Sequence, residues 1–289
     1  MIIYHGFDSK IFKYYKFYID KQSQLIIKDN KLISKNKILL SANFKILKSD
    51  YTKFNTIIIC DNSCFQQKYK NDELVKRCPR PIYLKFMKSD LKTIYPNLLD
   101  YYNEKYQLHY NKSWLINKDG IILFLLSNMN GVYSKKKIMT INNITSLISK
   151  IRLISSNKII IRPHKRDINC NIIQSVKDYY EKYNIVIDTN KIFKHKLTDI
   201  KCIISDMTCF ALYFAFLGIP LFNFSEDELF NTIAYKDIYI RKIKIIKDNH
   251  FHIKLCKTEK EKYIFFNKYM NHLYFSNDKN NVNLIKNIL

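Results

Sequence analysis

The segment KCIISDMTCFALYFAFLGIPLFNF, residues 201–224, settles the class of fold. Its Cys202–Ser205 portion is a short apolar run of the kind a buried strand needs. Asp206, Met207 and Thr208 form a tight turn whose side chains can cap a helix. Cys209–Leu217 is predicted to be that helix, and Gly218 its stop, because glycine takes the left-handed conformation of a helix C-cap at little cost. Ile219–Phe222 then supplies another strand. Two strands joined by a helix of this length form a βαβ unit, which implies a parallel, doubly wound sheet and an α/β fold.

Working outward, the same alternation extends towards the N-terminus. Gly120–Leu126 (GIILFLL) is predicted to be a buried strand running into the loop-forming SNMNG of residues 127–131. Asn142–Ile154 fits an amphipathic helix with Ile144, Leu147, Ile148 and Ile151 on one face. Lys158–Ile161 is the next buried strand, closed abruptly by Arg162-Pro163-His164. A helix over Ile172–Tyr183, a strand at Ile185–Ile187 and a short basic helix or loop at Lys191–Leu197 complete the series. Beyond Glu226 the chain turns polar and helical, with a terminal helix predicted over Glu259–Phe275. The first hundred residues are less regular. Met1–Tyr4 and Thr56–Cys60 (TIIIC) read as buried strands, the latter feeding the turn-forming Asp61-Asn62-Ser63, and Ile11–Leu47 as loosely alternating short strands. Pro79 and Pro81 exclude a helix from residues 77–82, which read as a linker or surface loop. Ser89–Tyr106 is predicted to be helical, with Pro96 either near a helix start or interrupting the helix.

Composition narrows the functional classes. With 289 residues and 47% hydrophobic side chains, a packed core is expected rather than disorder. The 49 Lys and Arg against 25 Asp and Glu give a formal charge of +24, which attracts polyanions such as nucleic acid or a membrane surface. Yet the abundance of Lys, Asn, Ile, Tyr and Phe beside only 4 Gly, 5 Pro and 1 Trp follows the split between AT-rich and GC-rich codons. The basic residues are also spread along the chain, as expected of a generally cationic, solvated surface. The 7 cysteines form no CxxC pair and no finger-like spacing, so neither a disulfide framework nor a structural zinc site is expected. The opening MIIYHGFDSK lacks the order of a secretory signal and the apolar runs are too short to span a bilayer, which places the protein in a reducing cytoplasm. Glycines at 6, 120, 131 and 218 supply neither a GxxxxGK nor a GxGxxG loop.

In an open parallel sheet, ligands bind beyond the carboxyl ends of the strands, where helix starts favour anions. Two segments occupy such positions. IIIRPHKRD, residues 159–167, sets Arg162, His164, Lys165 and Arg166 at a strand end. SDMTCFA, residues 205–211, offers Ser205, Thr208 and backbone N–H groups at a helix start. Converging on one cleft, they suit a diphosphate. Taken singly, the first also reads as a basic surface turn and the second as a helix cap.

The order strand, R-P-H-x-R-D, two helices, strand, S-x-x-T, helix, G-I-P-L-F resembles the C-terminal half of GT-B glycosyltransferases over roughly residues 114–240. The likeness is to the capsule and teichoic-acid polymerase type and to short phage and large-virus glycosyltransferase-like proteins. It implies two Rossmann-like halves with parallel sheets plus terminal helices: residues 1–115 as an acceptor-side domain, 116–240 as the donor-binding domain and 241–289 as a terminal helical segment. It further implies transfer of a sugar or polyol phosphate from a nucleotide-activated donor, itself a substrate, to a glycan or glycoconjugate acceptor, with no metal and no other cofactor. Arg162, His164, Arg166, Ser205 and Thr208 would contact the donor phosphates, with His164 also a catalytic candidate. Asp8 and Asp61, each following a predicted N-terminal strand, are candidates for the catalytic base by position. Glu226 and Glu228 are placed to bind sugar hydroxyls. This chain departs from the pattern in having Lys165 where a proline is usual, and Asp206, which needs a partner such as Lys201 beside a phosphate. The basic surface also suits peripheral contact with a membrane. Other readings are a nucleic-acid-binding protein, for which no sequence motif is present, and an inactive scaffold of the same fold.

Overall fold

A computed structural model describes residues 2–5, 38–41, 56–71, 73–76, 81–86, 95–115, 117–126, 141–153, 155–165, 184–190, 192–205, 208–223 and 258–275. They divide into two compact units, one of Met1–Gln66, Arg77–Leu98 and Lys268–Leu289, the other of Gln67–Lys76 and Leu99–Asn267. Among the described residues no helix is long and apolar enough to cross a membrane.

The first unit is built on a mixed sheet. Strands β1 (Ile2–His5), β2 (Ile38–Ser41) and β3 (Thr56–Asn62) run parallel, with Ile38 opposite both Ile2 and Thr56. Strands β6 (Ile82–Phe86) and β12 (Leu273–Tyr274) add antiparallel on the far side of β3. The predicted strands at Met1–Tyr4 and Thr56–Cys60 are thus present, β3 running on to Asn62. There the Ser63 hydroxyl accepts from Phe65 N–H at 3.1 Å and turns the chain into a single 3-10 turn, Cys64–Gln66. Behind the sheet Tyr269 stacks on Tyr83 at 4.8 Å, and its hydroxyl accepts from Cys64 N–H at 3.1 Å. Pro81 is buried and leads into β6, a strand missed in the sequence because the two prolines mask its start.

The second unit carries a five-stranded sheet, all parallel, in the order β11-β10-β7-β8-β9. Its strands are β7 (Ile121–Leu125), β8 (Ile159–Arg162), β9 (Ile185–Ile187), β10 (Ile200–Ser205) and β11 (Leu221–Asn223). Each matches a strand read from the sequence within two residues. Helices α2 (Ile141–Arg152), α3 (Cys209–Phe216) and α4 (Glu259–Asn271) also occupy predicted positions, while α1 (Leu98–Tyr106) begins only after Pro96, positions 95–97 being non-helical and 89–94 lying outside the described residues. The helix predicted at 172–183 lies outside the described residues, and positions 192–196 are non-helical. Helix α3 is apolar on every side and buried from Ala211 to Phe216, as befits a helix enclosed by its neighbours. It ends at Gly218, whose φ of +97° and close approach to Ser113 O, 2.8 Å from where a Cβ would stand, admit no side chain without strain. Helix α4 begins in a capping box, Thr258 N–H donating to Glu261 at 2.8 Å and Glu261 N–H to the Thr258 hydroxyl at 3.3 Å. It stops at Asn271, four residues before the predicted end, because Leu273 and Tyr274 pair with β6 instead.

Two further strands, β4 (Gln67–Lys70) and β5 (Glu73–Lys76), form a hairpin turning at Asn71, whose φ is 51°. The sequence reading missed it, since QKYKNDELVK has too few apolar residues to alternate. It belongs to the second unit through Tyr69, whose ring stacks 6.5 Å from that of Tyr213 on α3.

Candidate functional site

The strand order places a switch point at the centre of the second sheet. From β7 the chain proceeds outward to β8 and β9, then returns to β10 on the other side of β7 and continues to β11. The connections leaving the carboxyl ends of β7 and β10 therefore diverge, and it is over such a point that open α/β sheets leave a ligand crevice. Register aligns the rim: Leu125 at the end of β7 lies between Ser205 on β10 and Arg162 on β8. Ser205 also pairs with Asn223 on β11. At a spacing of about 4.8 Å per strand, the Ser205 and Arg162 backbones stand roughly 10 Å apart on one edge. The turns after β8 and β10 thus leave the same end of one sheet with a single strand between them.

On the β10 side, both hydroxyls are engaged locally. Thr208 caps α3, its Oγ1 accepting from Ala211 N–H at 3.2 Å, while the buried Ser205 Oγ accepts from Thr208 N–H at 3.3 Å. On the β8 side, the Arg162 guanidinium donates to Asp188 Oδ2 at 2.5 Å and to the Asn190 carbonyl at 2.9 Å, and lies 5.4 Å over the Phe193 ring. Asp188 is only 6% exposed. Burial alone would raise its carboxyl pKa, but the Asn190 backbone N–H and the Arg162 charge outweigh that and hold it below the usual range. Through these bonds Arg162, expected as a phosphate contact, also ties β8 to the end of β9. Pro163 is buried beside it and His164 is half-exposed at the start of the turn.

The other expected site residues lie elsewhere. Asp61 lies within β3, paired opposite Tyr83, rather than beyond the strand. Asp8, Arg166, Glu226 and Glu228 lie outside the described residues, as does Asp206. The Lys201 ammonium donates to Asn157 Oδ1 at 2.8 Å, on the opposite edge of the sheet. That amino edge is stitched by polar contacts: Asn157 Nδ2 donates to the Lys118 and Gly120 carbonyls, and Arg152 to those of Ser155, Asn157 and Asn184. Sequence reading missed Asp188 and His195, which meet at the carboxyl edge with His195 Nε2 3.6 Å from Asp188 Oδ2. Asp188 was findable, since it follows directly on the IVI strand; His195 was hidden in a basic stretch. Among the described residues no three His, Cys, Asp or Glu side chains cluster as metal ligands do.

The second unit is thus a parallel, Rossmann-like α/β sheet with its switch point between β7 and β10, and the first unit has a mixed sheet of its own. No protein-family model matches the chain, and no curated protein matches it. Among solved structures, KpsC of Thermosulfurimonas dismutans, a beta Kdo 2,7 transferase, aligns with 99% of this chain and 99% of its own at TM-score 0.53 and 10% identity. A KpsC beta Kdo 2,4 transferase from the same organism aligns with 76% of this chain and 79% of its own at TM-score 0.47 and 9% identity. At such identity the first likeness shows the fold.

Proposed function

We propose that this protein is a glycosyltransferase-like enzyme that moves a sugar or polyol phosphate from a nucleotide-activated donor to a glycan or other acceptor, without a metal. The observation that carries the reading is that the β8 and β10 turns leave the same switch-point edge of one parallel sheet, with only β7 between them. Residues 116–240 hold the donor, 1–115 serve the acceptor side and 241–289 form the terminal segment. The start of α3 and the cations after β8, His164 and Arg166, neutralise the departing phosphate, with Ser205 and Thr208 shaping the turn. Such charge stabilisation matters most as the bond to the leaving group breaks. Similarity in fold to a Kdo transferase over nearly the whole of both chains supports a nucleotide-activated acid sugar as one donor to test.

The test is a panel of donors, including UDP-glucose, GDP-mannose, CDP-glycerol and nucleotide-activated Kdo, read by thermal shift and by donor turnover. The expected result is binding by at least one donor, and loss of turnover by about 100-fold or more in His164→Ala with the melting temperature nearly unchanged, since the side chain is not in the core. Unfolding of that variant, with binding intact in the residue that folds, would assign His164 to the structure instead.

A further inference from the structure

His195 is held from three directions although its side chain is 27% exposed. Its carbonyl accepts from the Tyr69 hydroxyl of β4 at 3.3 Å, its ring packs edge-on against Phe193 at 5.1 Å, and its Nε2 faces Asp188 at 3.6 Å. Asp188 is in turn fixed by three hydrogen bonds, from Arg162 and from the backbone and side chain of Asn190. Among the described residues Nδ1 has no hydrogen-bond partner. The Tyr69 bond fixes the backbone at His195, while Phe193 and Asp188 set the ring. At 3.6 Å the contact is electrostatic rather than a hydrogen bond, and a carboxylate charge on that side favours the tautomer with the proton on Nε2, which leaves the lone pair on Nδ1. The pair stands at the end of β9, directly beside Arg162 and on the rim that carries Ser205.

We propose that His195, oriented by Asp188, is the proton acceptor of this edge. The inference rests on the transferase reading and supplies the base that reading lacks. In the step, Nδ1 takes the proton of an acceptor hydroxyl as the oxygen bonds to the anomeric carbon. The bond from that carbon to the phosphate oxygen breaks, and its electron pair leaves with the nucleotide. Asp188 steadies the imidazolium so formed. The charged and titratable groups around the ring are Asp188 and Arg162 at the strand ends and Tyr69 from the hairpin, with Lys194 and Lys196 exposed on either side in the chain.

The experiment uses the full chain and whichever donor of the panel turns over, measuring kcat and KM across neutral and mildly acid pH and donor affinity by calorimetry. His195→Gln should lower kcat by about 100-fold to 10,000-fold, remove the fall in rate on the acid side, and leave donor affinity within about twofold. Asp188→Asn should lower kcat in the same direction with donor affinity retained, because an amide no longer selects the tautomer. Wild-type kcat and acid limb in folded His195→Gln overturn this inference alone. Should His195→Gln not fold, Asp188→Asn decides by the same two readings. A chain that binds no donor overturns the transferase reading, and this proposal with it.

Discussion

Lys262 buries a positive charge on a helix whose first two residues, Glu259 and Lys260, are polar and exposed. It is 1% exposed, donates to the Asn111 carbonyl at 2.5 Å and lies 4.4 Å over the Trp114 ring. Burial pushes its ammonium down to about 7 from 10.5, with Glu259 pulling weakly the other way. The folded value lies below the unfolded one, so below pH 7 both states hold the proton and the cost of burying the charge is present in full. As pH rises towards 10.5 the folded state releases its proton first and the cost is relieved, so stability rises across that window. Urea midpoints measured from about pH 6.5 to 9.5 should therefore climb in the wild type, and the climb should be missing in Lys262→Met. Identical slopes in the two proteins would mean that the carbonyls and ring faces keep the ammonium charged. Such a residue is illegible in sequence, because the segment that receives it, Asn111 to Trp114, is about 150 positions away along the chain and is brought near only by packing.

At the scale of elements, legibility followed burial. The central strands of the second sheet, β7, β8 and β10, are buried along nearly their whole length and announce themselves as unbroken apolar runs. The hairpin β4–β5 and strand β12 do not, because the first makes its case through one tyrosine and the second exists only because β6 offers an edge. The candidate site divides in the same way: the turns after β8 and β10 could be placed from strand ends, whereas the Arg162–Asp188 brace required knowing that β8 and β9 are neighbours. Helix α3 offers a test that separates cap from ligand contact. Thr208→Ala removes the acceptor for Ala211 N–H and should cost about 1 kcal/mol of stability, while Thr208→Asn, another good cap, should restore most of it. Denaturation midpoints give the stability term. Donor affinity of the Asn variant then reads the hydroxyl's part in binding, since its helix start is intact.

For the whole molecule the open choice lies in its charge. A formal +24 guarantees some attraction to any polyanion, whatever the protein does. The two origins of that attraction differ in their response to salt. Contacts made only to a phosphate backbone by scattered lysines release counterions, and affinity falls by orders of magnitude between about 50 and 200 mM salt. A donor held by a helix start and a few converging groups on one sheet edge is screened far less, because those groups are close to the ligand and partly withdrawn from water. Fluorescence anisotropy with a labelled oligonucleotide should therefore show binding that collapses over that range, while thermal stabilisation by the preferred donor persists. Oligonucleotide affinity that survives the salt series, in a protein that no nucleotide sugar stabilises, would turn the +24 surface from background into function and leave the switch-point edge as inherited architecture.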